Sequence, residues 1–370
     1  MPRILQVVGG MDRAGVETWL LSILRQLNRD RFQMDFLVHR RNGAYESDVE
    51  ALGARIVPCF HPKQPWLYAR HFNRAVREYG PYDIIHSHLN YFNGPIMLLA
   101  HHAGIPRRIA HCHLDVSPIW REAKLLRRAY MSMSGIWIGR HSTHCLATSR
   151  VAGESMYGSI PAVRSRWEVA PCGIDFAPFR QSVNRAQIRD GLGIEVDTLI
   201  VGHVGRFDVQ KNHAFLIEIA RETVIRKKNT RFLLVGDGPL RSEVRDRIDA
   251  AGLSGHFQLV GSRPDVASLM LGAMDVFLFP SRYEGLGLAL VEAQAAGLPC
   301  IVSDVVPPEA TVVPALVQRL PLSVPPSAWA AAVLGHGRTR CDQRASLEVV
   351  ERSPFNIKSS AAALEGIYLA

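Results

Sequence analysis

Two carboxylates eight residues apart, Glu284 and Glu292, lie in the run Phe279-Pro280-Ser281-Arg282-Tyr283-Glu284-Gly285-Leu286-Gly287-Leu288-Ala289-Leu290-Val291-Glu292-Ala293. The run reads as a strand ending at Pro280, a glycine-bearing turn, and an apolar helix that starts near Leu286. If one helix carried both carboxylates, they would lie about 12 Å apart along its axis and be rotated by roughly 80°. Paired glycosidase carboxylates stand roughly 5 to 10 Å apart, so a hydrolytic acid/base pair is disfavoured. Two carboxylates gripping hydroxyls at different points of an extended, sugar-rich ligand fit the spacing. The free N–H groups at the helix start, around Gly285, Leu286 and Gly287, would form an anion site. The plain alternatives are a helix-start carboxylate favoured by the dipole for Glu284 and a buried structural hydrogen bond for Glu292.

The segment Val204-Gly205-Arg206-Phe207-Asp208-Val209-Gln210-Lys211-Asn212 places two cations five residues apart, after a buried strand and before a helix. Arginine offers a planar fork to phosphate oxygens and lysine a compact point charge, so the pair suits a diphosphate; surface cations on a loop are the alternative. Near the N-terminus, Ile4 to Val8 run into Gly9-Gly10, and Gly15 precedes a helical pattern. Such a turn lets backbone N–H groups approach a phosphate, although glycine also serves tight turns. It is neither G-x-G-x-x-G nor a Walker A sequence, so dinucleotide and P-loop readings fit badly.

His86-Ser87-His88 and His111-Cys112-His113 each end a strand with alternating histidines on one face. They could be two halves of a zinc site, but two H-x-H pairs without a well-placed carboxylate are incomplete, and no metal is expected. Beside them, Trp120 to Tyr130 form a basic helical stretch that could lie on an anionic leaflet. A helix that covers the sheet with its Leu and Met face and solvates its Arg and Lys face is the other reading.

The elements that must position these groups follow from short apolar runs alternating with helical patterns, the signature of βα units and parallel sheets. Strands are expected at Ile4–Val8, Met34–His39, Arg55–Cys59, Asp83–His88, Arg108–His113 and Cys145–Ser149. A second set is expected at Leu199–Arg206, Arg231–Gly236, Phe257–Gly261, Val276–Pro280 and Pro299–Ser303. Pro171 to Pro178 read as a hinge. The expected organisation is a domain over 1–180, a second over 181–354 and a terminal helix over 355–370, with ligand bound at the carboxyl ends of both sheets. Beyond Asp304, prolines break the pattern, and only helices around Ser327–Leu334 and Asn356–Leu369 can be placed.

With 370 residues the chain has room for two to three folding units, and 47% apolar content is that of a globular protein. The net charge of +9 lies entirely within residues 1–180, the remainder being neutral. This asymmetry suits an anionic partner facing one domain, whether nucleic acid, a phospholipid surface or a phosphorylated substrate; a merely solvated basic surface is the alternative. Cys59, Cys112, Cys145, Cys172, Cys300 and Cys341 show no C-x-x-C spacing, which points to a reducing, cytoplasmic compartment. Ile4–Val8 reads as a strand rather than a signal peptide. No run approaches the roughly 18 to 20 apolar residues that span a bilayer, so membrane contact is expected to be peripheral.

Gly9-Gly10 with Gly15-Val16-Glu17, Arg206 with Lys211, Gly236-Asp237-Gly238-Pro239-Leu240, and the Glu284 to Glu292 segment follow one another in an order that resembles the GT-B fold glycosyltransferases of family 4. That is a retaining, nucleotide-sugar-dependent group with many enzymes of bacterial surface polysaccharide assembly. The resemblance spans residues 4 to about 304 and implies an α/β chain of two Rossmann-like doubly wound domains. It implies that Glu284 holds hydroxyls of the donor sugar and Glu292 the ribose, and that Arg206 and Lys211 neutralise the diphosphate, helped by N–H groups of Gly285 to Gly287 and of the Gly15 turn. It also implies that a histidine at the strand end contacts the donor sugar or acceptor; the register favours His113, with His88 and His111 as neighbours. No D-x-D dipeptide is present, in keeping with a metal-independent enzyme without cofactor. The partners it implies are a nucleoside diphosphate sugar, a glycan or polyprenyl-diphosphate-linked acceptor and an anionic membrane surface, but no nucleic acid. Cys172 departs from the asparagine the family often has before Gly-Ile-Asp, and Val305 to Pro326 depart from its glycine-rich segment. A nucleotide-sugar 2-epimerase on the same architecture would need carboxylates in the first half poised for proton transfer. A basic nucleic-acid-binding protein would show a nucleic-acid motif.

Overall fold

The computed structural model describes residues 1–60, 63–336 and 342–370. The chain divides into two units, one formed by Met1–Gly173 with Ile357–Ala370 and the other by Ile174–Asn356.

The first unit is built on seven strands: β1 (Arg3–Val8), β2 (Gln33–Val38), β3 (Ile56–Pro58), β4 (Ile84–Ser87), β5 (Arg107–Cys112), β6 (His144–Ala147) and β7 (Trp167–Val169). They lie in the order β3-β2-β1-β4-β5-β6-β7 and every pair is parallel. Helices cover the sheet, so β1 is buried from Ile4 through Val8 and reads as a near-continuous apolar run. Gln6, fully buried in its middle, is the exception. The helix Gly15–Gln26 buries Trp19, Leu20, Ile23 and Leu24 along one stripe. Against it packs the terminal helix Ile357–Leu369, held where Trp19 Nε1 donates to Ser360 Oγ at 3.0 Å and Gln6 Nε2 to Tyr368 OH at 2.9 Å.

The second unit has six parallel strands: β8 (Leu199–Val204), β9 (Thr230–Val235), β10 (Phe257–Gly261), β11 (Val276–Phe279), β12 (Cys300–Ser303) and β13 (Val317–Leu320). Their order is β10-β9-β8-β11-β12-β13. Strand order reverses between β1 and β4 in the first sheet and between β8 and β11 in the second. These are the switch points where open α/β sheets bind ligands, and Gly15, His88, Arg206, Lys211 and Glu284 follow the carboxyl ends of β1, β4, β8 and β11, while His111 and His113 lie at the end of the neighbouring β5.

Several expectations need correction. The units divide at Gly173, before residue 180, because Ile174, Phe176 and Phe179 pack into the second unit's core. Edge strands β7 and β13 were not expected; Trp-Glu-Val and Val-Gln-Arg-Leu are too short and mixed to show a period. The helix Gln343–Glu351 was also missed. The strand expected to reach Ser149 stops at Ala147, because the Ser149 hydroxyl caps the next helix by accepting from Ala152 N. The basic stretch Trp120–Tyr130 is two helices, Ser117–Glu122 and Leu125–His141, parted at Ala123-Lys124. Five cysteines are free, buried thiols among the described residues; Cys341 lies outside them.

Candidate active site

In the second unit, β8 and β11 are neighbours, and the loops leaving their carboxyl ends are stitched together. Asn212 Nδ2 donates to the Pro280 carbonyl at 3.1 Å, and Arg282 N donates to the Gln210 carbonyl at 2.8 Å. Asn212 adopts a left-handed backbone (φ 56°), which asparagine tolerates better than most residues. This stitching brings Lys211 Nζ to 2.6 Å from Glu284 Oε1, while Gln210 Nε2 donates to Glu284 Oε2 at 2.8 Å. Glu284 is only 4% exposed, and both its oxygens are engaged. The Lys211 ammonium also stands 4.5 Å from the centre of the Phe279 ring.

Arg206 behaves differently from Lys211. Its side chain is about half exposed and its nearest carboxylate, Asp208, is 3.9 Å away. The loop that carries it rests on the Gly236–Leu240 motif. Phe207 N donates to the Asp237 carbonyl and Leu240 N to the Phe207 carbonyl, both at 3.0 Å. Gly236 has φ +140°, and a Cβ there would meet the Gly205 carbonyl oxygen at 2.0 Å. The motif is therefore a buttress for the Arg206 loop.

Glu284 and Glu292 do not share a helix. The helix spans Leu288–Ala295, and Gly287, its N-cap residue, has φ +93°, which ends any helical continuation toward Leu286. Gly287 has no side chain to cap the first-turn N–H groups of this helix. Leu286 is buried and anchors the turn. Glu292 is half-buried on a helix whose only other polar side chain is Gln294, and no hydrogen bond to its carboxylate is found among the described residues. Burial pushes its carboxyl up to about 7.

In the first unit, Gly15 is the exposed first residue of its helix. The N-cap, Ala14, has no side chain able to cap, so nothing on the cap residue competes for the first-turn N–H groups. The four histidines at the ends of β4 and β5 meet. His86 Nε2 lies 3.2 Å from His111 Nδ1, and His88 Nδ1 lies 2.8 Å from His113 Nε2. Trp19 stands edge-on to His88 and His111 and tilted to His113, at 5.6 to 5.8 Å. Burial holds His86, His88 and His111 well below the usual imidazole range and lowers His113 to about 3. Candidate ligand atoms of His86, His88 and His111 lie within 4.8 Å of one another, close enough for one cation. Their nitrogens are however already hydrogen-bonded to other side chains, His111 Nε2 excepted.

Sequence reasoning missed Gln210 and Asn212, which orient Glu284 and its loop, and Gln6 and Tyr368, which join the histidine cluster. Gln6 had a legible signal, a polar residue inside an apolar strand. Gln210 had none, since a loop glutamine is ordinary.

The chain matches the family described as Glycosyltransferase Family 4 over residues 13–177 and that described as Glycosyl transferases group 1 over residues 184–333. It is 33% identical to the glycosyltransferase EpsF of Bacillus subtilis (strain 168) over 99% of this chain and 96% of that protein. It is 28% identical to an Escherichia coli UDP-Gal:alpha-D-GlcNAc-diphosphoundecaprenol alpha-1,3-galactosyltransferase over 60% of this chain and 58% of that one. The solved structure of Anabaena HepE with UDP and glucose superposes with a TM-score of 0.82 at 17% identity, covering 100% of both chains. With two parallel-sheet Rossmann-like units, motif residues at both switch points and a relative spanning its length, this chain is an enzyme that belongs to the GT-B fold glycosyltransferases of family 4.

Proposed function

We propose that this enzyme is a retaining, metal-independent transferase that moves a hexose or N-acetylhexosamine from a nucleoside diphosphate sugar to a lipid-linked precursor of a surface polysaccharide. The observation that carries the reading is the Lys211–Glu284–Gln210 arrangement at the β8/β11 switch point. Glycosyl transfer builds negative charge on the departing diphosphate. A fixed cation, an exposed guanidinium on Arg206 and the backbone N–H groups of the Gly285–Gly287 turn that leads into the helix would stabilise such charge by preorganisation. Both Glu284 oxygens are held by a cation and an amide, which suits a carboxylate that orients sugar hydroxyls and disfavours one that attacks carbon. In that mechanism the acceptor attacks on the face the leaving group vacates and a diphosphate oxygen takes the proton. Glu292 would take the ribose hydroxyls. His113 would contact the donor sugar or the acceptor, with His88 and His111 behind it on the acceptor side, and N–H groups of the Gly15 helix start would help hold the diphosphate.

The E. coli relative's name includes a diphosphoundecaprenol acceptor, and HepE was solved with UDP and glucose; these support a lipid-linked acceptor and a nucleoside diphosphate donor here. No helix among the described residues is long and apolar enough to cross a membrane. Leu125 and Leu126, 82% and 87% exposed, stand beside exposed Arg121, Lys124, Arg127 and Arg128. Adjacent apolar side chains ringed by cations suit peripheral docking on an anionic cytoplasmic leaflet.

The test is thermal stabilisation of the purified enzyme, with EDTA present, by UDP, GDP, ADP and CMP and their sugar conjugates. A shift with one diphosphate that is lost in Arg206→Ala supports the reading and names the base. No shift with any of them overturns it.

A further inference from the structure

The first unit buries a continuous chain of side-chain hydrogen bonds, part of it outside the family's motif residues. It runs from Thr148 Oγ1 to Cys172 Sγ (3.6 Å), Cys172 Sγ to His113 Nδ1 (3.5 Å), His113 Nε2 to His88 Nδ1 (2.8 Å) and His88 Nε2 to Gln6 Oε1 (2.8 Å). Gln6 Nε2 then joins Tyr368 OH (2.9 Å), which meets His86 Nδ1 (2.8 Å), and His86 Nε2 meets His111 Nδ1 (3.2 Å).

A neutral imidazole has one N–H and one lone pair, so the direction of any link dictates the next. Gln6 sets the direction. Its Nε2 also faces Met34 Sδ at 3.7 Å, a group that can only accept, and this turns Oε1 toward His88. An amide oxygen cannot donate, so His88 Nε2 carries the proton and His88 Nδ1 is a lone pair. His113 Nε2–H donates to it, which leaves His113 Nδ1 as an acceptor facing the Cys172 thiol. Burial lowers His113 to about 3 and pushes Cys172 up to about 12, keeping the imidazole neutral and the sulfur a donor. A thiol is a weak donor, and His113 is only half-buried.

We propose that Gln6 is a positioning residue that, through His88, locks His113 in the Nε2–H tautomer, and that Cys172 is the displaceable donor on His113 Nδ1. The group that this subsite takes from a ligand is therefore a free hydroxyl, which donates; a carbonyl, a carboxylate or an O-methyl group, which only accept, cannot replace the thiol. This rests on the reading of His113 as a ligand contact and deepens it.

The experiment is two-bond ¹⁵N–¹H correlation spectroscopy of the full chain labelled with ¹⁵N-histidine, His113 being assigned by the signals lost in His113→Asn. The Nε2–H tautomer is expected in the wild type and in Gln6→Glu, which keeps an oxygen opposite His88. In Gln6→Met the His113 signals move toward a tautomer average. A wild-type Nδ1–H tautomer, or a His113 unmoved by Gln6→Met while Gln6→Glu is folded, overturns the proposal. Addition of whichever nucleotide sugar raises the melting temperature should shift His113 Nδ1 as a stronger donor replaces the thiol. Binding that leaves it in place overturns the hydroxyl assignment. If no nucleotide sugar binds, the transferase reading fails, while the tautomer is still decided by the spectrum without ligand.

Discussion

Lys211 and Glu284, 73 positions apart in sequence, form an ion pair of 2.6 Å inside one unit, with side chains 14% and 5% exposed. The cation implicated in diphosphate binding and the carboxylate implicated in sugar binding thus hold each other in place. Neither can be removed without leaving the other in low-dielectric surroundings.

This separates two cations that the sequence alone would rank together. Breaking a buried pair by removing one partner costs on the order of 3–5 kcal/mol, whereas an exposed, loosely paired charge contributes about 0–1 kcal/mol. Lys211→Ala should lower the melting temperature by several degrees, and Arg206→Ala should leave it nearly unchanged while weakening nucleoside diphosphate binding. Differential scanning calorimetry and nucleotide titration of the two variants check this; equal melting temperatures would contradict the pairing.

Glu284→Ala should depress turnover strongly while leaving nucleotide affinity mostly intact. Gln210→Ala, which frees Glu284 Oε2, should act in the same direction but more mildly, since a hydrogen bond to a charged group is worth about 1.5–3 kcal/mol, or roughly 10- to 100-fold in rate. Steady-state kinetics that show Gln210→Ala raising KM alone would sink the orienting role.

Burial raises the Glu292 carboxyl from 4.5 to about 7. Between those values the native chain keeps a proton that the unfolded chain has released, so this group's contribution to stability declines as pH rises through the window. Glu292→Gln should remove that decline and be relatively more stable than the wild type at pH 8. If the carboxylate accepts from ribose hydroxyls, nucleotide affinity of the wild type should rise from pH 6 to 8 and lose that dependence in the variant. Denaturation and calorimetric titration at the two pH values read both effects.

Leu125 and Leu126 project into solvent, so their replacement by glutamate should leave thermal stability within about 0.5 kcal/mol of the wild type. Binding to phosphatidylglycerol vesicles should fall by about two orders of magnitude or more, given roughly 1.5–3 kcal/mol for each apolar side chain buried. Sedimentation with vesicles would report it, and unchanged binding would remove this surface from the proposed membrane contact.

Most strands could be read from apolar runs because parallel strands covered on both faces are largely apolar, as β11 is throughout and β1 is apart from Arg3 and Gln6. Edge strands β7 and β13, half-covered and mixed, carried no such signal. Glycine-bearing turns after strands marked where anion sites could form, and Arg206, Lys211, Glu284 and Glu292 were singled out as candidates by residue type and spacing. The supposition of one helix carrying both carboxylates failed because periodicity cannot report the positive φ of Gly287.

By itself the sequence determined the alternation of elements, the inventory of charged groups, and the family through the order of its motifs, since all of these are local patterns along the chain. Tertiary structure alone decided that Lys211 and Gln210 share Glu284 while Arg206 stays exposed, and that Gln6, Tyr368 and Cys172 are linked to the histidines of β4 and β5. Hydrogen bonds and ion pairs act over about 3 Å in space, and which groups come that close depends on strand order and register, which no spacing along the chain encodes.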